Sequence, residues 1–490
     1  MSDIRKAILY SLLNQYSLQV ISIVSIAILA RLLSPDEIGV FAVATSIAFL
    51  ATELRSFGVG EFLIREKDID ELKVRTVIGV MVIMSWSLAT IMIVGAPWIG
   101  EFYDNAHLRN LLWIISVPFF LAPHSAIPYA LLVREMKFAS TIKVNLIGSL
   151  VRNGTSIGLA LAGFSFYSLA WGTLAGVVAE FITITILRPQ NMPWLPSFHN
   201  IKHVFQIGIQ ISVSKFLIST SQNASDLVLG RLASMKDVGL YSRGLGLILF
   251  LQSLITQAVA PVALPHLSQV KRTGGSVAEA YIHAVALVGA FALPLFAVVN
   301  IAAHPMINAL FGDQWDVSVG IASTLAIWAM LQSIHCFSAH AFLTLAKERF
   351  LLIKEVISFS VKLSMIILAV PHGLQLVAWG FVVSGVIDLI LITALLKHVM
   401  DMSIEALTMA FIPNILVAAA CWSTLKVMTF FIDFHAMNAW LALCVIGAAM
   451  VPTWLVSLKL TNNRAWPFIM EMAGKITKGR IGSAPTASGQ

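Results

Sequence analysis

Long apolar runs separated by short polar loops occupy almost the whole chain. Each run extends over about 20 residues, the length that an α-helix needs to cross the hydrocarbon core of a bilayer. The pattern predicts an all-α membrane protein with about 14 transmembrane helices, called spans 1 to 14. Their predicted limits are 7–30, 38–62, 76–98, 109–132, 142–163, 168–187, 206–230, 238–264, 280–303, 317–343, 354–371, 374–396, 408–430 and 437–459.

The composition argues against a soluble protein. Of the 490 residues, 58% are hydrophobic and 12% are charged, whereas soluble domains carry roughly 25% charged residues. The net charge of +7 is spread over short loops, so no nucleic-acid surface is predicted. Cys336, Cys421 and Cys444 lie in apolar stretches without metal-ligand spacing. We therefore predict neither disulfides nor a metal or other cofactor.

The distribution of Lys and Arg predicts the orientation of the chain in the membrane. About 22 of the 32 lie in the N-terminal segment, the tail and the loops on their side, against about four in the opposite loops. The positive-inside rule then places both termini in the cytoplasm. Residues 1–6 are basic and lack a small-residue cleavage site, so we interpret them as the start of span 1.

One segment near the N-terminus recurs later in the chain. Residues 31–41 (RLLSPDEIGVF) align without a gap with residues 231–241 (RLASMKDVGLY), 200 positions further on. Ser34 and Glu37 have the spacing of a capping box at the start of span 2, and the second copy keeps the serine and replaces the glutamate by aspartate. Capping alone accounts for much of this motif.

A second pair of motifs makes the duplication specific. Residues 170–172 (AWG) with Glu180 recur as residues 378–380 with Asp388, both 208 positions later. The similar offsets predict that spans 1–6 and 7–12 are copies of one six-helix unit. Since each copy has an even number of spans, both insert the same way, and such parallel repeats enclose a central cavity in transporters.

The duplication predicts how the chain is divided. Residues 1–188 form an N-terminal lobe of six helices, and residues 206–397 form a pseudo-symmetric C-terminal lobe. Residues 189–205 are a cytoplasmic linker between them. Residues 398–460 contain spans 13 and 14, outside the duplication. Residues 461–490 are a polar cytoplasmic tail with a disordered Gly/Ser-rich end.

Four motifs in their expected order resemble the polysaccharide transporter family, the Wzx-like oligosaccharide flippases of the multidrug/oligosaccharidyl-lipid/polysaccharide exporter superfamily. The resemblance extends over residues 5–400, and spans 13 and 14 carry little of it. The matching segments are 30–39 (ARLLSPDEIG), 54–60 (LRSFGVG), 260–265 (APVALP) and 310–315 (LFGDQW).

The resemblance implies a V-shaped pair of lobes that flips a polyprenyl-diphosphate-linked oligosaccharide across the bacterial inner membrane by alternating access. It implies a role in exopolysaccharide, capsule or lipopolysaccharide export. The expected substrate is an undecaprenyl-diphosphate-linked glycan, and a polysaccharide polymerase or export complex is an expected partner besides membrane lipids.

Charged side chains inside the spans need a physical reason, because an ionised group at mid-bilayer costs about 2.5–3.5 kcal/mol on insertion scales. Arg152, Lys215 and Lys362 lie away from the ends of spans 5, 7 and 11. In the frame of the duplication Lys362 falls two residues from Arg152, so each copy presents a cation at a similar depth. We expect all three to line the cavity. For Arg55 and Arg243 the alternative is pairing with a neighbouring acid.

Span 7 carries polar residues at steps of four, three and four from Lys215 to Asp226, which is one face of a helix. A cationic, amide-rich cavity suits diphosphate and sugar hydroxyls. The residues predicted to bind substrate are Arg152, Lys215, Lys362, Arg55, Arg243, Gln15, Gln19, Ser219 and Gln222. The acids considered for proton or sodium coupling are Glu53, Glu180, Asp226 and Asp388. For Glu180 and Asp388 the alternative is pairing with a loop cation or between lobes.

Two other functions fit the sequence less well than a flippase does. An ion-coupled drug or cation exporter of the same superfamily should have an acidic cavity, whereas the excess of charge inside these spans is basic. A polysaccharide polymerase or glycosyltransferase needs a large extramembrane loop and paired catalytic carboxylates, and neither is evident in the sequence. The protein is therefore not expected to be an enzyme.

Overall fold

The computed structural model describes most of the chain. The described residues are 2–56, 63, 70–189, 192–198, 216 and 219–477, without the side chains of residues 2–16, 257–264, 266 and 472–477. Within these ranges the structure is almost entirely α-helical and contains no β-strand. Two short 3₁₀ turns, Asp313–Trp315 and Val370–His372, interrupt the helices.

The helices follow one another with short connections. They are α1 (Ser2–Leu32), α2 (Pro35–Ser56), α3 (Glu71–Phe102), α4 (Ala106–Arg134), α5 (Phe138–Leu161), α6 (Tyr167–Leu187), α7 (219–232), α8 (Met235–Arg272), α9 (Val277–Phe311), α10 (Asp316–Ile334), α11 (Ser338–Thr344), α12 (Glu348–Ala369), α13 (Leu374–Met400), α14 (Ile404–Phe431), α15 (Ala439–Leu460) and α16 (Ala465–Thr477).

Every predicted span overlaps a helix, and the prediction of an all-helical membrane protein is confirmed. Ten segments of the described chain are long and apolar enough to cross a membrane. The exact number of 14 spans stays a prediction. Span 10 is divided between α10 and α11, and α16 lies in a segment expected only as a polar tail.

The capping predictions at the start of α2 and α8 are confirmed. The backbone N–H of Ser34 donates to Glu37 Oε2 at 2.7 Å, and the N–H of Glu37 lies 3.4 Å from Ser34 Oγ. In the second copy, the N–H of Ser234 donates to Asp237 Oδ2 at 3.2 Å, and the N–H of Asp237 donates to Ser234 Oγ at 3.1 Å. The reciprocal bonds satisfy helix-terminal donors and fix where each helix begins.

The two copies of this motif pack directly on each other. A Cβ added to Gly39 would lie 1.7 Å from the carbonyl oxygen of Met235, and a Cβ added to Gly239 would lie 1.9 Å from that of Pro35. Met235 lies four residues before Gly239, and Pro35 lies four residues before Gly39. The two contacts are therefore equivalent under the duplication, and the crossing of α2 and α8 is symmetric. Only glycine permits this approach of two backbones.

The chain divides into two compact units. Unit 1 contains Met1–Arg243, Leu310–Trp315 and Phe359–Leu374, and unit 2 contains Gly244–Ala309, Asp316–Ser358 and Gln375–Gln490. Within unit 2, apolar residues of α9, α14 and α15 form a common core. The division into lobes at residues 189–205 stays a prediction.

Candidate functional site

Cavity A lies within unit 1 among α2, α4, α5 and α6, and has a volume of about 460 Å³. Its apolar wall comes from residues such as Phe49, Phe119 and Ile184. Hydroxyl, amide and charged groups interrupt that wall, which is unusual for helices of this hydropathy. The polar residues that line cavity A are Thr45, Thr52, Arg55, Ser125, Tyr129, Asn145, Thr173 and Glu180.

Arg55 brings a cation to cavity A, and Glu53 on the same helix is close enough to interact with its charge. Its guanidinium carbon lies 5.2 Å from the centre of the Phe119 ring. Its Nε is buried and has no hydrogen-bond partner among the described residues. A ring contact of this kind holds the plane of the guanidinium while leaving its N–H donors for a ligand.

Cavity B adjoins cavity A in the same unit and has a volume of about 410 Å³. Its walls come from α1, α2, α5, α6, α7 and α8, which belong to both copies of the duplicated sequence. Thr45, Phe49 and Thr173 line both cavities. The polar residues that line cavity B are Thr45, Ser46, Arg152, Asn153, Ser156, Thr173, Asn223, Asp226, Ser242 and Arg243.

Arg152 and Glu180 form an ion pair that connects α5 and α6. Arg152 Nη2 donates to Glu180 Oε1 at 2.8 Å. The helices approach closely because Gly148 and Gly176 leave room for these side chains. A Cβ on Gly148 would lie 2.2 Å from Glu180 Cγ, and one on Gly176 would lie 2.7 Å from Arg152 Cβ. Arg152 lines cavity B and Glu180 lines cavity A.

Arg243 is held in cavity B by aromatic rings of the segment 310–315. Its guanidinium carbon lies 5.7 Å from the centre of Phe311 and 5.6 Å from the centre of Trp315. Trp315 Nε1 in turn donates to the carbonyl oxygen of Ala30 at 2.9 Å, at the end of α1. Nε of Arg243 is buried and has no hydrogen-bond partner among the described residues. The motif LFGDQW thus positions a cation.

Asp226 belongs to a hydrogen-bond network across α2, α7 and α8. Ser242 Oγ donates to Asp226 Oδ1 at 2.7 Å. Ser46 Oγ lies 3.2 Å from both Asp226 Oδ2 and Asn223 Oδ1. The carboxylate is therefore held by neutral donors, and the described charged residues that line the two cavities are three arginines and two acids. The site carries an excess of positive charge.

The structure brings five of the predicted residues together around the two cavities. They are Arg55, Arg152, Glu180, Asp226 and Arg243. Glu180 pairs with Arg152 on the neighbouring helix α5. Its partner is therefore neither a loop cation nor a residue of the other lobe, which was the predicted alternative. The roles of these residues in binding or coupling stay predictions.

The other predicted residues are either described away from the walls of these cavities or lie outside the described residues. Lys362 Nζ lies 3.2 Å from Ser221 Oγ on α7. Ser219 is buried, whereas Gln222 on the same helix is exposed. Lys215 and the side chain of Gln15 lie outside the described residues. The remaining members of the predicted set are Gln19 and Glu53, which are half-buried in unit 1, and Asp388, which accepts a hydrogen bond from Gln332 at 3.2 Å in unit 2.

The pattern of charged residues in the sequence does not reveal the neutral polar residues of the cavities. Asn145 Nδ2 donates to Tyr129 Oη at 3.1 Å in cavity A, and Asn153 and Asn223 line cavity B. Amides inside apolar spans are the signal that could have found them. No group of three His, Cys, Asp or Glu side chains suited to a metal occurs among the described residues.

Apolar helices of membrane-spanning length that enclose charged cavities define a multi-pass membrane transporter. Residues 28–320, more than half of the chain, match the polysaccharide biosynthesis protein family, and the chain belongs to that family. The resemblance predicted from the four motifs is thereby confirmed.

The chain is similar to known proteins over much of its length. It is 22% identical over 442 residues to the teichuronic acid biosynthesis protein TuaB of Bacillus subtilis, covering 88% of this chain and 90% of TuaB. It is 22% identical over 322 residues to the lipopolysaccharide biosynthesis protein WzxC of Escherichia coli, covering 64% of each. The fold is similar to that of the lipid II flippase MurJ in an inward closed conformation, with a TM-score of 0.75, 15% identity, and coverage of 92% and 98% of the two chains.

Proposed function

We propose that this protein flips a polyprenyl-diphosphate-linked oligosaccharide from the cytoplasmic to the external leaflet of a bacterial inner membrane. Export of an exopolysaccharide, capsule or lipopolysaccharide is the process it serves. The observation that carries the proposal is the pair of adjoining cavities with Arg55, Arg152 and Arg243 in their walls. Membership of a polysaccharide biosynthesis family and the MurJ-like fold support it.

The diphosphate is the part of the substrate that needs the arginines. Planar guanidinium groups bind phosphate oxygens in a bidentate manner, and these charge-assisted bonds are strong where water is scarce. The buried Nε–H groups of Arg55 and Arg243 have no acceptor among the described residues, so a phosphate would satisfy them. Arg152 has one N–H committed to Glu180 and can reach a ligand in cavity B with the others.

The oligosaccharide matches the neutral polar lining. Sugar hydroxyls donate and accept hydrogen bonds, as do the amides of Asn145, Asn153 and Asn223 and the hydroxyl of Tyr129. Apolar walls such as Phe49 provide contact with the faces of sugar rings. A mixed lining of this kind tolerates different glycans. The diphosphate is common to all of them and is therefore the group that the site recognises specifically.

Alternating access follows from the duplicated architecture in this proposal. The two six-helix lobes move relative to each other while the substrate stays near the middle of the membrane. Both termini lie in the cytoplasm, on the side of the basic loops. Glu180 and Asp226, the acids of the cavities, are the candidates for ion coupling, and a polysaccharide polymerase on the external side is the expected recipient of the product.

The proposal is tested in a strain that lacks the chromosomal gene and carries plasmid copies of the wild type, Arg55→Gln or Arg243→Gln. The accessibility of lipid-linked oligosaccharide to a membrane-impermeant reagent is measured in inside-out and right-side-out vesicles. We expect both variants to trap the glycan in the cytoplasmic leaflet and to reduce polymer export at least tenfold, because each loses a charge-assisted phosphate contact.

Arg464→Gln is the matched control, since Arg464 is exposed and lies far along the chain from both cavities. It should export normally. Immunoblots of membranes establish that every variant inserts to the same level. Wild-type glycan distribution in both cavity variants would refute the assigned site, and normal distribution in the gene deletion would refute the function.

A further inference from the structure

The ion pair between Arg152 and Glu180 lies where the two cavities of unit 1 adjoin. Arg152 lines cavity B, and Glu180 lines cavity A. The two side chains are 42% and 30% exposed, so each has open space beside it. A partly exposed ion pair is held less tightly than a fully buried one. The position of this pair therefore allows it to open toward both cavities.

The guanidinium of Arg152 is only partly used by this ion pair. One hydrogen bond, from Nη2 to Glu180 Oε1 at 2.8 Å, joins the two side chains. Nε of Arg152 is buried and has no hydrogen-bond partner among the described residues. Nε and Nη2 share one edge of the guanidinium, and such an edge binds an oxyanion through two parallel hydrogen bonds. Glu180 thus occupies one half of a site that a phosphate would fill completely.

Two glycines provide the room in which Glu180 reaches Arg152. A Cβ on Gly148 would lie 2.4 Å from Glu180 Oε1, and one on Gly176 would lie 3.0 Å from Arg152 Nε. Any larger residue at these positions would therefore press on the polar atoms of the ion pair. The glycines keep both the carboxylate and the unpartnered edge of the guanidinium accessible.

The second copy of the duplicated sequence lacks this arrangement. The residues 208 positions after the first glycine, the arginine and the second glycine are Val356, Ser360 and Ser384. Asp388, which corresponds to the glutamate, accepts a hydrogen bond from Gln332 instead. A copy of the repeat therefore forms without the ion pair and without its two glycines. This difference indicates that the pair in the first copy serves cavities A and B and is not a requirement of the repeated fold.

A transport site must release its substrate as well as bind it. A diphosphate held by three arginines would leave slowly, because tighter binding mostly lowers the rate of dissociation. A protein anion that occupies one of the arginines reduces the apparent affinity by the fraction of time for which it is bound. Glu180 is in direct contact with such an arginine. Asp226, the other described acid of the two cavities, is held by the hydroxyl groups of Ser242 and Ser46.

We infer that Glu180 competes with the transported diphosphate for Arg152, an inference that rests on the proposed function. In the empty protein the carboxylate occupies Nη2 of Arg152. The diphosphate carries more negative charge, binds both Nε and Nη2, and displaces the carboxylate into cavity A. The hydroxyl of Tyr129 and the amide of Asn145 provide hydrogen-bond donors there. The return of Glu180 to Arg152 then promotes release of the product, so Glu180 sets how tightly the substrate is held.

Binding is measured by isothermal titration calorimetry of the purified full-length protein in detergent. The probe is farnesyl diphosphate, and farnesol, which lacks the diphosphate, is the reference. The variants are Glu180→Gln, Glu180→Asp, Arg152→Gln and the double variant Arg152→Gln with Glu180→Gln. Glu135→Gln is the matched control. Glu135 also pairs with a nearby cation, Lys137 at 2.7 Å, but it lines neither cavity A nor cavity B.

We expect Glu180→Gln to bind farnesyl diphosphate about fivefold more tightly than the wild type, because a neutral amide competes poorly for Arg152. Polymer export should nevertheless fall about fivefold, because the product is released more slowly. Glu180→Asp keeps the charge on a shorter side chain, so it should gain about twofold in affinity and provides the test if Glu180→Gln does not fold. Glu135→Gln should bind and export as the wild type does.

The gain in affinity should be absent from the double variant when it is compared with Arg152→Gln, because nothing is left for the carboxylate to occupy. A gain that persists there would reflect only the removal of a negative charge and would overturn the inference. Unchanged or lower affinity of the Glu180 variants, with farnesyl diphosphate still preferred to farnesol, overturns the inference and leaves the proposed function standing. If neither the wild type nor Glu180→Gln prefers farnesyl diphosphate, the proposed substrate is wrong and the inference fails with it.

Discussion

Arg152 on α5 donates a hydrogen bond to Glu180 on α6 at 2.8 Å, within one copy of the duplicated sequence. The counterpart of Glu180 in the other copy is Asp388, which is buried and accepts a hydrogen bond from Gln332 at 3.2 Å. The position that corresponds to Arg152 is Ser360. The ion pair is therefore a feature of one copy, and the two copies have diverged in charge while keeping the acid.

We predict that Arg152→Gln and Glu180→Gln each destabilise the protein. The side chains are 42% and 30% exposed. The free energy of unfolding should therefore fall by about 1–3 kcal/mol, which lies between the losses typical of breaking an exposed and a buried ion pair. Thermal unfolding of the purified protein in detergent measures it. The reversed pair Arg152→Glu with Glu180→Arg should recover most of the lost stability, and a double variant no more stable than the single ones would contradict the coupling.

The membrane fold could be predicted from the sequence because the length and hydropathy of a span are local properties. The starts of α2 and α8 could be predicted equally well, because Ser34 with Glu37 is a local capping pattern. The helix α16 was not predicted, because Trp466 and Ile469 pack in a core with residues of α9, α14 and α15 that the local sequence does not reveal. The break between α10 and α11 was not predicted either.

The candidate site could be predicted only in part. Intramembrane charge identified Arg55, Arg152 and Arg243, because a charge in a span stands out against an apolar background. The stripe on α7 predicts that Gln222 faces a cavity; Gln222 is exposed and lines neither cavity A nor cavity B, and its role in binding stays a prediction. Periodicity predicts which residues share a face of a helix, but it does not predict which helix or cavity that face contacts.

Gly39→Ala should destabilise the crossing of α2 and α8. The new methyl group would lie 1.7 Å from the carbonyl oxygen of Met235, and neither backbone can move without disturbing its capping box. We expect a lower midpoint of thermal unfolding and reduced glycan export. Both are measured on membranes with equal amounts of protein.

Gly246→Ala is the matched control for that substitution. Gly246 lies on α8, as Gly239 does, and a Cβ at this position meets no atom within 4 Å. Alanine there should be neutral or stabilising by up to about 1 kcal/mol, because it favours helix more than glycine does. Equal midpoints of thermal unfolding for Gly39→Ala and Gly246→Ala would contradict the close crossing of α2 and α8.

His335→Ala should destabilise unit 2. The ring of His335 is 4% exposed and lies between Tyr281 Oη at 2.9 Å and Thr393 Oγ1 at 2.8 Å. Removing it leaves a buried hydroxyl without its partner, which costs about 1–3 kcal/mol, and creates a cavity besides. Thermal unfolding should show the loss, whereas His372→Ala, at an exposed position, should leave the midpoint unchanged.

Arg243→Lys separates charge from ring contact in cavity B. Lysine keeps the positive charge, but it lacks the planar group that lies against Phe311 and Trp315 and that binds phosphate in a bidentate manner. We expect export to fall about three- to tenfold, between the wild type and Arg243→Gln, with normal insertion. Trp315→Phe should weaken export in the same direction because it removes the hydrogen bond to Ala30, whereas Trp440→Phe, at an exposed position, should not. Full export by Arg243→Lys would show that charge alone suffices and that the aromatic segment 310–315 does not position the arginine for transport.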